Sequence, residues 1–371
     1  MSIKATLKHL AFGAFASIDG PLHNSRGPLR ELRSFLLLQH ASALGTVLHG
    51  TPLPEALRAV FPEAHVTVAT SGYSTSVYRD NPAINCLVEM PNPMQDLKGA
   101  AGFLRELRMP GPFATLTTVG NERSRVALAC VLGGAGNRVG MTLVPELFRV
   151  PMAYDPAVSI IANNLHIVEA LGHGKPPHVE PRIFPSADDL THARGLLARF
   201  KDPTRPNLVL VTQSSPGQRK NWRLERFVAA GRSLAERVGA NIVLVGAPSE
   251  RASVEAQAAE IGEHAMSFAG ETTLHQLAAL LSLCRVGISI ETGTLHVARA
   301  VGLPTVIISP AWSPPIEWLP QGDTRYIAIK NLEGEEYPEY MIDEVSVQEV
   351  EEAAERLWHA FPVPPVDLRR S

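Results

Sequence analysis

Twice along the 371 residues, short apolar runs of strand length alternate with stretches of helical spacing, and this alternation restricts the fold more than any other feature. In the first half the strand-like runs are 35–38, 66–70, 85–88 and 114–118. Helical stretches at 51–60, 97–107 and 123–132 lie among them, with Pro52 suited to a first helical turn. The second half repeats the pattern with strands at 208–211, 242–245, 286–290 and 305–308 and helices at 224–238, 250–261, 274–283 and 295–301. Strands alternating with helices in this way predict parallel, doubly wound sheets, and two series predict two Rossmann-like domains.

The boundaries follow from where the pattern lapses. Residues 1–33 form an N-terminal extension with mixed Gly, Pro and charge, and one helix is expected there, near 28–34. The first domain spans 34–160, with an irregular, Pro-containing break over 141–156. A crossover helix over 160–171 and a Gly/Pro-rich stretch to 185 make the 161–185 segment a linker. The second domain spans 186–345, and a C-terminal helix and tail occupy 346–371. That helix, 347–361, puts Val350, Ala354, Leu357 and Phe361 on one face.

A net charge of −3 gives no bulk electrostatic reason to bind nucleic acid or an anionic membrane, so any such contact has to be a local patch. Cys86, Cys130 and Cys284 are scattered in apolar runs without metal-ligand spacing and read as core thiols of a reducing compartment. Lys4 and Lys8 followed by Leu10–Ala16 imitate a signal peptide, but the apolar stretch is at the lower limit of length. No run approaches the ~18 apolar residues of a spanning helix. A cytoplasmic protein with at most peripheral contact at the inner membrane is expected.

Three loops carry the chemistry because each follows a strand, and open α/β sheets bind ligands at the strands' carboxyl ends. After 208–211 come Thr212, Ser214, Ser215, Arg219 and Lys220, hydroxyls and cations of the kind a departing diphosphate requires. Trp222, at the next helix start, reads as packing. After 242–245, Gly246 and Glu250 suit a close-approaching ribose or base, although an N-terminal glutamate also complements a helix dipole. After 286–290, Glu291, Thr292 and Gly293 form a corner that aims helix N–H groups outward, with His296 in the first turn to donate to a phosphate or to change charge near neutral pH. A Gly134, Gly136, Gly140 spacing imitates a dinucleotide fingerprint, but it follows a helix and its third glycine is one residue late. It reads as a helix C-cap and turn.

Collectively these residues resemble glycosyltransferase family 9, the ADP-heptose:lipopolysaccharide heptosyltransferases of GT-B fold. Lys220 and Trp222 resemble its Lys-x-Trp segment, Gly246 to Glu250 its Gly-x-Pro-x-Glu, Glu271 to Leu274 its next turn with Thr272, and Glu291 to His296 its Asp-Thr/Ser-Gly-x-x-His. In the first half, His40 to Pro52 and Phe61 to Ala64 resemble the Ser-x-Gly-Asp and Phe-Pro-x-Ala patterns, and Arg138 to Gly140 fits a further position. The resemblance covers roughly residues 34–360.

It implies two domains facing across a cleft and inverting transfer of a heptose, or a related sugar, from a nucleoside-diphosphate donor, ADP-heptose first among them. The acceptor hydroxyl would belong to a saccharide or glycolipid such as lipopolysaccharide core. Lys220, Thr292 and Gly293 would stabilise the leaving diphosphate, with Thr212, Ser214 and Ser215 helping to hold it. Gly246 and Glu250 would contact the nucleoside and His296 the phosphate side. No cofactor is required, and Mg is compatible but not indicated.

Two positions depart from the pattern. Thr46 stands where the family carries the aspartate expected to deprotonate the acceptor, and a hydroxyl cannot hold that proton at neutral pH. Glu291 is one methylene longer than the usual Asp. His40, His49 and Glu55 are the nearby substitutes for the base, with His40 closest to a suitable ordinary pKa. The competing readings are an impaired homologue that binds nucleotide sugar without transferring it, and a nucleotide-sugar epimerase.

Overall fold

The computed structural model describes residues 3–24, 27–172, 174–214, 218–362 and 364. The chain divides into two compact units, Met1–Pro181 and Arg182–Ser371.

In the first unit the strands are β1 (Ser34–Gln39), β2 (His65–Thr70), β3 (Cys86–Glu89), β4 (Phe113–Thr117), β5 (Arg138–Met141) and β6 (Val150–Met152). They form one parallel sheet in the order β3-β2-β1-β4-β5-β6. The second unit repeats it with β7 (Asn207–Val211), β8 (Asn241–Val245), β9 (Ala265–Ser267), β10 (Val286–Ile290), β11 (Thr305–Ile308) and β12 (Tyr326–Ile329), in the order β9-β8-β7-β10-β11-β12. Both are doubly wound, and in each the strand order reverses between the first and fourth strands. The central strands read as continuous apolar runs because both faces are covered by helices: all six β1 residues and all five β10 residues are buried. Ile288 of β10 lies between Leu210 of β7 and Val306 of β11, in the middle of the second core.

The elements missing from the sequence reading are short or peripheral. β6 falls inside the expected irregular break. Its Pro151 is tolerated because β6 is an edge strand, where a missing N–H breaks no inner ladder. The helix expected near 28–34 shrinks to a single 3-10 turn, Leu29–Glu31, since Ser34 already belongs to β1. Ahead of it residues Ile3–Asp19 form a helix that the sequence reading left unassigned. The helix Ala187–Leu197 is also new, started by a reciprocal cap between Ser186 and Asp189. Gly134 caps the helix Ser124–Gly133 with φ of 72°, so the glycine-rich stretch is a C-cap as expected. The helix Val347–Ala360 buries Val350, Ala354 and Leu357 against the second core. Cys130 and Cys284 are core thiols, whereas Cys86 on β3 is only half-buried. Among the described residues no helix is long and apolar enough to cross a membrane.

Candidate functional site

Because β7, β8 and β10 are parallel neighbours in one sheet, the three loops read from the sequence leave it at the same end, and two of them flank the reversal point. The β10 loop begins with Glu291, whose carboxylate is buried and receives two donors. Lys220 Nζ from the β7 loop lies 2.5 Å from Oε1, and Ser313 Oγ from the β11 loop lies 2.9 Å from Oε2. The ammonium also sits 5.1 Å from the centre of the Trp312 ring, a cation–π distance. Trp312 Nε1 in turn donates to Arg219 O at 3.2 Å, next to a backbone that Arg219 holds at φ of 47°. Lys220 is thereby held between two residues distant in the chain, Glu291 and Trp312, and Ser313 in turn holds Glu291.

Thr292 is the N-cap of the helix Gly293–Ala300 and makes no side-chain capping bond. The Thr292 side chain therefore leaves the first-turn N–H groups uncapped, and they carry the positive end of the helix dipole. His296 in that turn is buried, with its ring 5.7 Å from the Trp318 ring at 47°. Burial, reinforced by Arg299 and Lys220, pushes its pKa down to about 3. The expectation that His296 changes charge near neutral pH is thus corrected: it stays a neutral imidazole, able to donate one N–H.

The other donor-side residues are placed as follows. Thr212 is buried, and its Oγ1 has no hydrogen-bond partner among the described residues. Ser214 Oγ is turned into its own loop, donating to Asn221 Oδ1 at 2.7 Å. Ser215 lies outside the described residues. A Cβ on Gly246 would come within 2.9 Å of Glu250 Oε2, so the glycine makes room for the glutamate to fold back. That oxygen accepts the Ala247 N–H at 2.7 Å, a capping role within its own turn. Thr272 is half-buried beside Thr273, which caps the helix Leu274–Ser282. Trp222 is fully buried, donates to Val345 O at 2.9 Å and packs edge-on against Phe227, so it is a core residue.

Trp312 and Ser313 were not found from the sequence. The stretch from Pro310 to Pro320, with two tryptophans directly after a buried strand, was the available signal, since it too leaves the sheet at its carboxyl end.

The first unit has the same reversal between β1 and β4, and buried amides close it. Gln39 Oε1 accepts from Thr118 Oγ1 at 2.9 Å and from Asn121 Nδ2 at 2.5 Å, and the His40 N–H donates to Asn121 Oδ1 at 2.6 Å. Thr46 lies in the short helix Leu44–Leu48 and packs on Gly120, where a Cβ would come within 2.6 Å of its Cγ2. His40 Nδ1 is 3.1 Å from Ser71 Oγ, and its Nε2 is buried with no hydrogen-bond partner among the described residues. Burial pushes its pKa down to about 4, so it is neutral at pH 7 but a weaker base than its ordinary value implies. His49 is buried and Glu55 half-buried. No group of three or more His, Cys, Asp or Glu that could hold a metal ion occurs among the described residues.

Residues 157–336 match the model of glycosyltransferase family 9 (heptosyltransferase). The matched segment, mostly in the second unit, is similar to this family. The matched segment includes Thr212, Lys220, Gly246, Glu250, Thr272, Glu291, Thr292, Gly293 and His296, whereas His40 and Thr46 lie outside it. Lipooligosaccharide heptosyltransferase 2 of Haemophilus ducreyi is 25% identical over 152 residues, 38% of this chain, and the chain spans only 43% of that relative's length. The family 9 glycosyl transferase structure from Veillonella parvula superposes with a TM-score of 0.79 at 19% identity, covering 91% of this chain and all of that one. E. coli ADP-heptose lps heptosyltransferase II gives 0.72 at 19% identity, covering 89% of this chain and 99% of that one. The GT-B fold of these structures therefore extends over both units.

Proposed function

We propose that the protein is an inverting glycosyltransferase that moves a heptose from ADP-heptose to a hydroxyl of a saccharide acceptor, lipopolysaccharide core being the preferred one. The observation that carries this is Lys220, held between Glu291 and the Trp312 ring beside the open start of the helix Gly293–Ala300. As the anomeric C–O bond breaks, negative charge grows on the departing diphosphate. A fixed ammonium and preoriented N–H groups meet that charge without rearrangement, which is where electrostatic catalysis gains most. Neutral His296 adds a donor on the same side. With Lys220 in this position the leaving group is neutralised by the chain itself, so we infer that no metal is required. The Haemophilus ducreyi relative and the E. coli structure, by their names, support heptose, ADP and a lipopolysaccharide-type acceptor.

The acceptor would be bound by the loops of the first unit, where Thr46 cannot take a proton and His40 Nε2 is the available acceptor of one. A late, oxocarbenium-like transition state lowers the demand on that base. We infer a cytoplasmic site of action with at most peripheral membrane contact. The test is a thermal-shift panel of ADP, UDP, GDP and their sugars, followed by product analysis with ADP-heptose and core acceptors. At a hundred times its dissociation constant a true donor nucleotide adds about 2.7 kcal/mol. No response from any nucleotide would remove the donor-site reading. A response to ADP with no product from any acceptor would favour the second reading, a binding homologue, which Thr46 supports.

A further inference from the structure

The helix Ile3–Asp19 has two unlike faces. One buries Phe12 and packs Ala16 against Ala127, Val144, Leu147 and Phe148. The other leaves large apolar side chains in solvent: Leu10 is 67% exposed, Phe15 51%, Ile18 71% and, in the turn that follows, Leu22 53%. From Leu10 to Ile18 the helix contains no charged residue.

This face is anchored at its C-terminal end. Asp19 pairs with the buried guanidinium of Arg138, the Asn137 N–H donates to His23 O at 2.9 Å, and Asn24 Nδ2 donates to Leu147 O at 3.3 Å. A Cβ on Gly136 would clash with His23 O, so the close approach of this segment is built into β5's entry turn.

We propose that the exposed face of this helix docks on the surface of an anionic phospholipid bilayer. Charge identifies the partner. The first 33 residues carry five Lys and Arg against two acids in a chain of net charge −3, and one of those acids, Asp19, is closed off by Arg138. Lys4 and Lys8 fall in the first two turns of the helix, and Arg30 and Arg33 are exposed just after it. Cations before and after an apolar stretch along the chain fit the pattern of an interfacial helix. Area argues against a second copy of the chain. The four apolar side chains offer on the order of 400 Å², about half the ~800 Å² per partner of a standard protein interface, and a like-charged copy would add repulsion.

The experiment is flotation of the full chain, without nucleotide, on vesicles of phosphatidylethanolamine with phosphatidylglycerol and on vesicles of phosphatidylcholine alone. The intact chain should float with the anionic vesicles. Leu10→Glu/Ile18→Glu should reduce the bound fraction at least about fivefold, and Lys4→Glu/Lys8→Glu should reduce it on anionic vesicles only. Both Leu10 and Ile18 are exposed, so an unchanged melting curve verifies that the variant folds. Equal flotation of variant and parent, no flotation of the parent, or a concentration-dependent dimer that Leu10→Glu/Ile18→Glu abolishes would each overturn the proposal. Because no nucleotide enters the assay, these outcomes are separate from failure of the donor site.

Discussion

Replacing Lys220 by Met should destabilise the second unit far more than the loss of a surface ion pair would. Glu291 is 2% exposed, and its carboxylate is held by Lys220 Nζ at 2.5 Å and Ser313 Oγ at 2.9 Å. Without the lysine a buried anion keeps one hydroxyl donor, a situation that costs about 3–5 kcal/mol. Lys220 itself is 15% exposed, so water can reach the vacated position, which puts the expectation at the lower end, about 3 kcal/mol. Glu291→Gln keeps the Ser313 contact and leaves the ammonium to solvent, for about 1 kcal/mol. The double variant should then cost about 2 kcal/mol less than the sum of the two. The assay is urea denaturation followed by tryptophan fluorescence, which reports this unit alone because Trp222, Trp312, Trp318 and Trp358 all lie in it. Nucleotide binding should separate the two single variants in sign. Lys220→Met loses the cation that meets the diphosphate, whereas Glu291→Gln removes a competing and repelling anion and should tighten ADP by about 1 kcal/mol, roughly fivefold. Additive single variants, or Glu291→Gln weakening ADP as Lys220→Met does, would refute the reasoning.

Acid should destabilise both units. His40 and His296 have folded pKa values of about 4 and about 3, below the ~6.5 of an unfolded chain, so their contribution is fully present above pH 6.5 and drains away as pH falls toward the folded values. At pH 5 each should have cost about 2 kcal/mol relative to pH 7.5, and His296→Gln should flatten the fluorescence-detected pH dependence by up to one proton. Thr46→Asp restores a carboxylate at the base position and should raise kcat at least about tenfold with ADP affinity unchanged, measured by nucleotide release. Trp312→Leu removes both the ring over Lys220 and the Nε1 bond to Arg219 O. It should lower kcat more than KM for the donor rises, by about tenfold, with Trp312→Phe recovering part of the loss.

The alternation of strands and helices and the three ligand-facing loops were legible because they depend on short-range patterns. The run at 35–38 is apolar at every position and that at 286–290 at every position but Ser289, and such a run marks a strand covered on both faces whatever it pairs with. Gly134 was legible as a cap for the same local reason. Elements whose stability comes from distant partners were missed. The helix Ile3–Asp19 is tied down by Arg138, more than a hundred residues later, and β6 exists through pairing with β5. Glu250 was ambiguous in the sequence between nucleoside contact and helix start, and in the structure its carboxylate caps Ala247.

Sequence by itself determined the two α/β units, the alternation of their main strands and helices and the loops that follow the strands of the second unit, since periodicity and turn chemistry are properties of neighbouring residues. Tertiary structure decided what those loops are as chemistry. Lys220 becomes a fixed cation only when Glu291 and Trp312 meet it from the loops of other strands, with Ser313 holding Glu291 in place. His40 and His296 become neutral only when burial removes the water that would stabilise their charge. Burial and charge pairing are set by residues far apart in the chain, and no local pattern encodes them.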